Sequence, residues 1–182
     1  MKKENIVVYI LRLALTLLAI TAVVAAALAA VNSVTAPAIA ELNAQKTQEA
    51  IELVLPGGGE EIADYPAVDL VAKVYKGENG YAIQTTPGGF DNTITMMVGV
   101  DTEGNVLGIS IIKHTETAGL GAVAAAGTPA GENFRGQFVG ASGSVSVTKD
   151  GGTMDAITGA TITSRAVCAG VNAALECVAA MG

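Results

Sequence analysis

The 182-residue sequence contains no tryptophan, and aromatic residues make up only 4% of a chain that is 51% hydrophobic. Its apolar content is therefore small and aliphatic. Part of the excess sits at the N-terminus and has to be set apart before a core is judged. Histidine occurs once, as His114, and there is no Cys-x-x-Cys pair, so a metal centre has little to hold it. The two cysteines, Cys168 and Cys177, fall within one predicted helix. The rise of about 1.5 Å per residue separates them by roughly 13 Å, too far for a disulfide inside that helix. Small, buried, inert thiols are the expectation. Cations are scarce as well: 10 lysines and arginines face 17 acidic residues, for a net charge of −7. Lys2, Lys3 and Arg12 against Glu4 make the first twelve residues +2, which leaves −9 on the rest. So acidic a body excludes a phosphate-backbone partner, and no nucleic acid is expected.

The present features begin with a run free of charge from Leu13 to Val31. It meets the roughly 20 apolar residues that a bilayer core requires. The lysines and arginine before it favour a cytoplasmic N-terminus, with the remainder extracytoplasmic. Ala27-Leu28-Ala29 mimics a signal-peptidase site, but the apolar run is longer than a signal core, and an uncleaved anchor in membrane lipid is the reading adopted. Thr35-Ala36-Pro37 has the form of a helix start. It opens a polar stalk that ends at Pro56 and Gly57-Gly58-Gly59. Three segments follow: 1–34, cytoplasmic N-terminus and transmembrane anchor; 35–59, stalk helix and linker; 60–182, extracytoplasmic domain.

Within that domain, Leu70–Tyr75 and Tyr81–Thr85 flank Gly77-Glu78-Asn79-Gly80 as a hairpin. Ile94, Met96, Val98 and Val100 alternate along a third strand, with Met96 and Met97 as ordinary sheet residues. Asp101-Thr102-Glu103-Gly104 turns it into a fourth carrying Leu107, Ile109 and Ile111. A short strand is expected at Ser144–Thr148, before Lys149-Asp150-Gly151-Gly152. A closing helix from about Ser164 to Ala180 presents Val167, Val171, Ala174, Leu175 and Val178 to the sheet. The fold class is α+β: an antiparallel sheet packed with helices, preceded by one transmembrane helix and a stalk helix.

The stretch DAITGATITS, Asp155 to Ser164, crowds hydroxyls at the start of that helix. Two readings follow from the residues alone. Thr163 or Ser164 can cap the helix. Alternatively, the helix N-terminus receives a phosphate, with Gly159 and Ala160 small enough for its approach and the Thr161 hydroxyl beside it. A free threonine is a weak nucleophile without a base, and no nearby His or Lys is evident in the sequence.

Asp-Ala-Ile-Thr-Gly-Ala-Thr, from Asp155 to Thr161, resembles the flavinylation motif of the FMN-binding domain family. His114-Thr115-Glu116-Thr117-Ala118-Gly119-Leu120-Gly121 resembles the family's H-x-E-T-P-G-L-G loop, and Phe134-Arg135-Gly136-Gln137-Phe138 its F-x-x-Q-F element. Gly80-Tyr81-Ala82, Val98-Gly99-Val100-Asp101, Gly104 and Gly108-Ile109 follow its strands. With the anchor included, nearly the whole chain resembles the G subunits of Rnf electron-transport complexes. The C subunit of the sodium-translocating NADH:quinone reductase is a more distant relative. Three departures stand out: Thr158 where Ser is frequent, Ala118 where Pro is usual, and Gly88-Gly89-Phe90 where many relatives carry Gly-Tyr-Gly-Gly. Alanine at 118 leaves the loop looser than proline.

The resemblance implies FMN joined through its phosphate to the hydroxyl of Thr161. Asp155, Thr158, Gly159 and Ala160 would form the motif that presents it. Glu116, Thr117, Gly119, Leu120 and Gly121 would line the flavin or its phosphate, although Leu120 also reads as core. His114 reads as a hydrogen-bonded structural histidine, and Arg165 either as a phosphate counter-charge or as a solvated arginine. The implied partners are other membrane subunits of an ion-translocating ferredoxin:NAD oxidoreductase complex and a flavin transferase that uses FAD as donor. No catalytic residue is expected in the chain, which would act as an electron carrier and not as a complete enzyme. Two alternatives are kept: a flavin domain serving a separate extracytoplasmic reductase, and an anchored binding module without flavin.

Overall fold

A computed structural model describes residues 6–182. Lys2 and Lys3, on which the orientation of the anchor partly rests, lie outside the described residues. The chain divides into two compact units, Met1–Ala44 and Gln45–Gly182.

The described part of the first unit is helical, within α1 (Ile6–Val54). Its residues are exposed, and α1 is long and apolar enough to cross a membrane. Four hydroxyls on it donate to the helix's own carbonyls: Thr16 to Arg12 O at 2.8 Å, Thr21 to Leu17 O at 2.9 Å, Ser33 to Ala30 O at 2.8 Å and Thr35 to Val31 O at 3.0 Å. Such back-bonding lets hydroxyl residues occupy an apolar helix without unpaired polar groups. The helix start expected at Pro37 is not formed. α1 runs through Pro37, which removes one backbone donor without ending the helix.

The second unit is built on five antiparallel strands in sequential order: β1 (Glu60–Ile62), β2 (Val71–Lys76), β3 (Gly80–Thr85), β4 (Thr95–Asp101) and β5 (Val106–Lys113). Strand periodicity assigns successive side chains to opposite faces, and both faces are covered. Val74, Ile83, Met96, Val98 and Val100 face one core with α3 (Thr161–Met181), to which Val167, Val171, Ala174, Leu175 and Val178 contribute. Phe134 of α2 (Pro129–Gly136) and Phe138 close that core edge-to-face, with ring centroids 5.5 Å apart. Tyr75, Ala82 and Met97 face the other way and pack against Ala50, Ile51, Val54 and Leu55, the last of which follows α1 directly. Met96 and Met97 thus serve opposite cores.

This second core is what the reading of 35–59 as a stalk left out. The end of α1 approaches the sheet closely because Gly99 and Gly108, paired across β4 and β5, present no side chain to it. A Cβ on Gly99 would run into the Val54 carbonyl and come within 3.0 Å of Val54 Cβ. Gly99→Val is therefore expected to destabilise the unit by about 1–3 kcal/mol through overpacking. Urea denaturation of the detergent-solubilised chain reads this as a lower midpoint.

The strand expected at Ser144–Thr148 is also absent. The segment makes only an isolated parallel bridge, Val147 to Met154, with Thr148 N–H donating to Met154 O at 2.9 Å and Met154 N–H to Ser146 O at 3.1 Å. Ahead of it a side chain of α3 pairs the backbone, Val145 N–H donating to Asn172 Oδ1 at 2.8 Å and Asn172 Nδ2 to Val145 O at 2.9 Å. An asparagine amide can mimic a neighbouring strand in this way because it carries both donor and acceptor. The segment ends in a single 3₁₀ turn, Thr148–Asp150.

Both cysteines are free and buried. Burial, with a smaller contribution from the Asp150 carboxylate, pushes the Cys168 thiol up to about 11; burial also raises Cys177. Thiolate is the reactive form, so neither cysteine should react with a maleimide at about pH 8 until the protein is denatured. Labelling followed by intact mass spectrometry, with and without denaturant, checks this.

Candidate functional site

Helix α3 begins at Thr161, not at Ser164, and no side chain caps it; Ala160 occupies the N-cap position. The expected capping by Thr163 or Ser164 is replaced by other bonds. The Ser164 hydroxyl donates to Ala160 O at 3.0 Å and accepts the Ile157 N–H at 3.0 Å. The Thr163 hydroxyl donates to Glu116 Oε2 at 2.5 Å. Ser164 N–H reaches back to Ala160 O. The N–H groups before it, on Thr161, Ile162 and Thr163, are the donors that a helix start leaves without a partner inside the helix.

The turn before α3 closes by a bond from Ala160 N–H to Ile157 O at 2.9 Å. Gly159 has φ +77°, and a Cβ there would lie 3.0 Å from Leu120 Cδ2. Glycine is thus required both by the left-handed backbone and by the approach of Leu120.

Glu116 ties three segments together. It is 8% exposed, accepts the Thr163 hydroxyl through Oε2, and accepts the Phe90 N–H through Oε1 at 2.8 Å. Gly89 and Gly121 pack against this carboxylate so tightly that a Cβ on either would collide with it. The role expected for Glu116, lining the ligand, is joined by one that the sequence did not reveal: it fixes the loop after β3 and the loop after β5 to the first turn of α3.

A cleft of about 270 Å³ opens over this first turn, lined by Glu116, Thr117, Leu120, Gly121, Gly159, Ala160 and Thr161 from the predicted set. Phe90, Lys149, Ile162 and Thr163 complete it. Phe90, Leu120 and Ile162 are 67%, 43% and 49% exposed, an apolar rim of a size suited to one flat aromatic ligand. Leu120 therefore belongs to the cleft rather than to the core. Asp155, Thr158 and Gly119 do not line it. They border a second, more open cleft of about 570 Å³ with Phe134 and Gln137. There Gln137 holds the backbone of Asp155 at both N–H and carbonyl, at 2.7 and 3.3 Å. The seven-residue motif is thus divided between two surfaces.

Lys149 was not among the expected residues, and its position corrects the apparent lack of a nearby lysine. Its Nζ donates to Thr161 Oγ1 at 3.2 Å. The neighbouring Asp150 accepts two bonds from Arg165, at 2.7 Å from Nε and 2.6 Å from Nη2. The guanidinium holds the Asp150 carboxyl below its usual range. The pair is therefore lost at a lower pH than an unpaired aspartate would need for protonation. Arg165 is thus an exposed side chain paired with Asp150, closer to the expected solvated arginine than to a phosphate counter-charge, and it does not line the cleft. His114 does not line the cleft either. Its Nδ1 is buried without a hydrogen-bond partner among the described residues, whereas a hydrogen-bonded role was expected of it.

These features fit an aromatic phosphate ester: small residues, unpaired helix N–H groups and one lysine at the phosphate end, with an apolar rim beside them. Comparison with known proteins agrees. Residues 89–176 match the FMN-binding domain family. The G subunit of an ion-translocating oxidoreductase complex from Methanosarcina acetivorans is 33% identical over 188 residues, which cover 94% of this chain and 95% of the relative. The G subunit of the Na(+)-translocating ferredoxin:NAD(+) oxidoreductase complex of Acetobacterium woodii is 35% identical over 197 residues, 92% of this chain and 90% of the relative. The corresponding G subunit from Pseudomonas aeruginosa is 37% identical over 117 residues, but that match spans 62% of this chain and about half, 55%, of the relative. With its FMN-binding domain and a full-length match to such proteins, the chain belongs to the family of G subunits of ion-translocating oxidoreductase complexes.

Proposed function

We propose that this protein is a membrane-anchored electron carrier whose FMN is joined through a phosphoester to Thr161. It would work within an ion-translocating ferredoxin:NAD oxidoreductase complex. The observation that carries this reading is the position of the Thr161 hydroxyl: half-buried, at the lip of the cleft, with Lys149 Nζ at 3.2 Å and the opening of α3 beneath it. FMN supplies reversible one- and two-electron transfer at its ring, while a bond through phosphate leaves the ring unaltered.

The residues divide the work. Thr161 holds the group; Gly159 and Ala160 leave room for its phosphate, Gly121 lets Glu116 and Thr163 close up beside it, and Thr117 adds a polar edge. Leu120, Phe90 and Ile162 would flank the ring, and Glu116 keeps those segments in register. Asp155 and Thr158, on the second surface, are assigned to presentation of the motif to a flavin transferase. The chain's own part in electron transfer is to hold the ring at a partly open cleft within reach of partner subunits. α1 would anchor the chain in membrane lipid, N-terminus cytoplasmic and residues 60–182 extracytoplasmic.

The test is co-expression of the full chain with its matching transferase and a denaturing gel viewed for flavin fluorescence. A fluorescent band at the mass of this chain is expected. A dark band under these conditions defeats the reading. Copurification of other membrane subunits with the fluorescent chain then tests membership of the complex, against a flavin domain that feeds a separate reductase.

A further inference from the structure

We infer that Lys149 is the residue that positions and charge-compensates the phosphate on Thr161, and that the Asp150–Arg165 pair sets it in place. This rests on the proposed flavin attachment and adds to it a residue outside the seven-residue motif.

Three observations carry the inference. Lys149 Nζ lies 3.2 Å from Thr161 Oγ1, the oxygen that would become the bridging oxygen of the ester. Lys149 is the cation among the residues lining the cleft, and the acidic residue there is Glu116, whose two oxygens are occupied by Phe90 and Thr163. The other cation near the start of α3, Arg165, is held at two atoms by Asp150. The 3₁₀ turn Thr148–Asp150 carries Lys149 and Asp150 side by side, so the ion pair to α3 brings the adjacent lysine to the first residue of that helix.

Attachment from a flavin dinucleotide forms a bond between Thr161 Oγ1 and the phosphorus of its FMN half. It breaks the pyrophosphate bond, adenosine monophosphate leaves with the bonding pair, and the hydroxyl proton passes to solvent; nothing is oxidised or reduced. A phosphate that enters this cleft meets an otherwise acidic protein, and a lysine at hydrogen-bond distance offsets that charge as attachment proceeds. In the finished ester Lys149 would remain beside the phosphate.

The experiment uses the full chain in detergent, purified without flavin, with its matching transferase and FAD. The flavinylated fraction is followed by intact mass over time. Lys149→Met is expected to slow attachment about tenfold or more, the scale of one lost hydrogen bond to a charged group. Lys149→Arg should recover most of the rate, and the unfolding temperature of unmodified Lys149→Met should match the unsubstituted chain. Arg165→Gln, which releases the turn, should slow attachment less than Lys149→Met does. Attachment to Lys149→Met at the unsubstituted rate overturns the inference. So does a slow rate that Lys149→Arg shares together with a lowered unfolding temperature, since that marks a structural role. Failure of the inference leaves Thr161→Val dark and the unsubstituted chain fluorescent, whereas failure of the underlying reading leaves both dark.

Discussion

Replacement of Thr161 by valine is expected to reduce covalent flavin to background while the fold persists. Valine keeps the branched shape of threonine and removes only the hydroxyl, the atom through which the group would be joined. The side chain is half-buried and its one hydrogen bond is to an exposed lysine, so the loss to folding stability should be about 1 kcal/mol or less. Nearby hydroxyls cannot substitute for it. Thr163 is 1% exposed and bonded to Glu116, and Ser164 is fully buried and engaged at both donor and acceptor. Thr158 is exposed but borders the other cleft. Thr161→Ser should retain fluorescence, since serine offers the same oxygen. In-gel fluorescence of the three chains, at equal protein load, gives the comparison. A Thr161→Val band as bright as the unsubstituted one would place the flavin on another residue.

Glu116→Ala is expected to have the largest effect on stability, about 2–4 kcal/mol. It strips the acceptor from two donors at once, the Thr163 hydroxyl and the Phe90 N–H. A buried donor left unsatisfied costs about 1–3 kcal/mol, and the two share one carboxylate, so their losses need not add fully. Glu116→Gln should fall between. Its amide keeps one acceptor oxygen, and the Thr163 hydroxyl can turn to accept from the amide nitrogen. Urea midpoints of the three chains measure the order. Because Glu116 joins three segments of the cleft, flavin loading should decline in the same order. Equal stability of Glu116→Ala and the unsubstituted chain would contradict the bracing role.

The fold was legible where periodicity was strong. Met96, Val98 and Val100 of β4 and the stripe on α3 fall where the apolar pattern puts them, because they face the larger core. In β5 a register shift puts Val106 in that core with Ile109 and leaves the expected Leu107 37% exposed. The pattern failed where a second contact overrode it. Ser144–Thr148 alternates like a strand, yet its backbone is bonded to the side chain of Asn172 and, through one isolated bridge, to Met154, neither of which lies in a strand. Pro37 reads as a helix start and is carried inside α1. Ala50, Ile51 and Val54 look like scattered apolar residues of a polar stalk, and only the glycine and alanine of the facing strands show why they are buried.

The site divides along the same line. DAITGAT and HTETAGLG pointed to Thr161, Glu116, Leu120 and Gly121, which share one cleft with Thr117, Gly159 and Ala160. Lys149 was illegible because it stands in a Gly-rich turn, where a lysine is ordinary surface. Its meaning comes from the pairing of its neighbour with Arg165. Phe90 contributes through its backbone N–H as much as its ring, and a backbone contact leaves no trace in residue type. Asp155 and Thr158 belong to the motif and yet face away, which no spacing argument distinguishes from facing in.

The most direct test is the intact mass of the full chain, purified from cells that also make the matching flavin transferase, followed by mass mapping of its peptides. The expected mass is that of the bare chain plus FMN less one water, with the addition on the peptide that holds Thr161. A chain at its bare mass under those conditions, or an addition that maps to a peptide without Thr161, would contradict it.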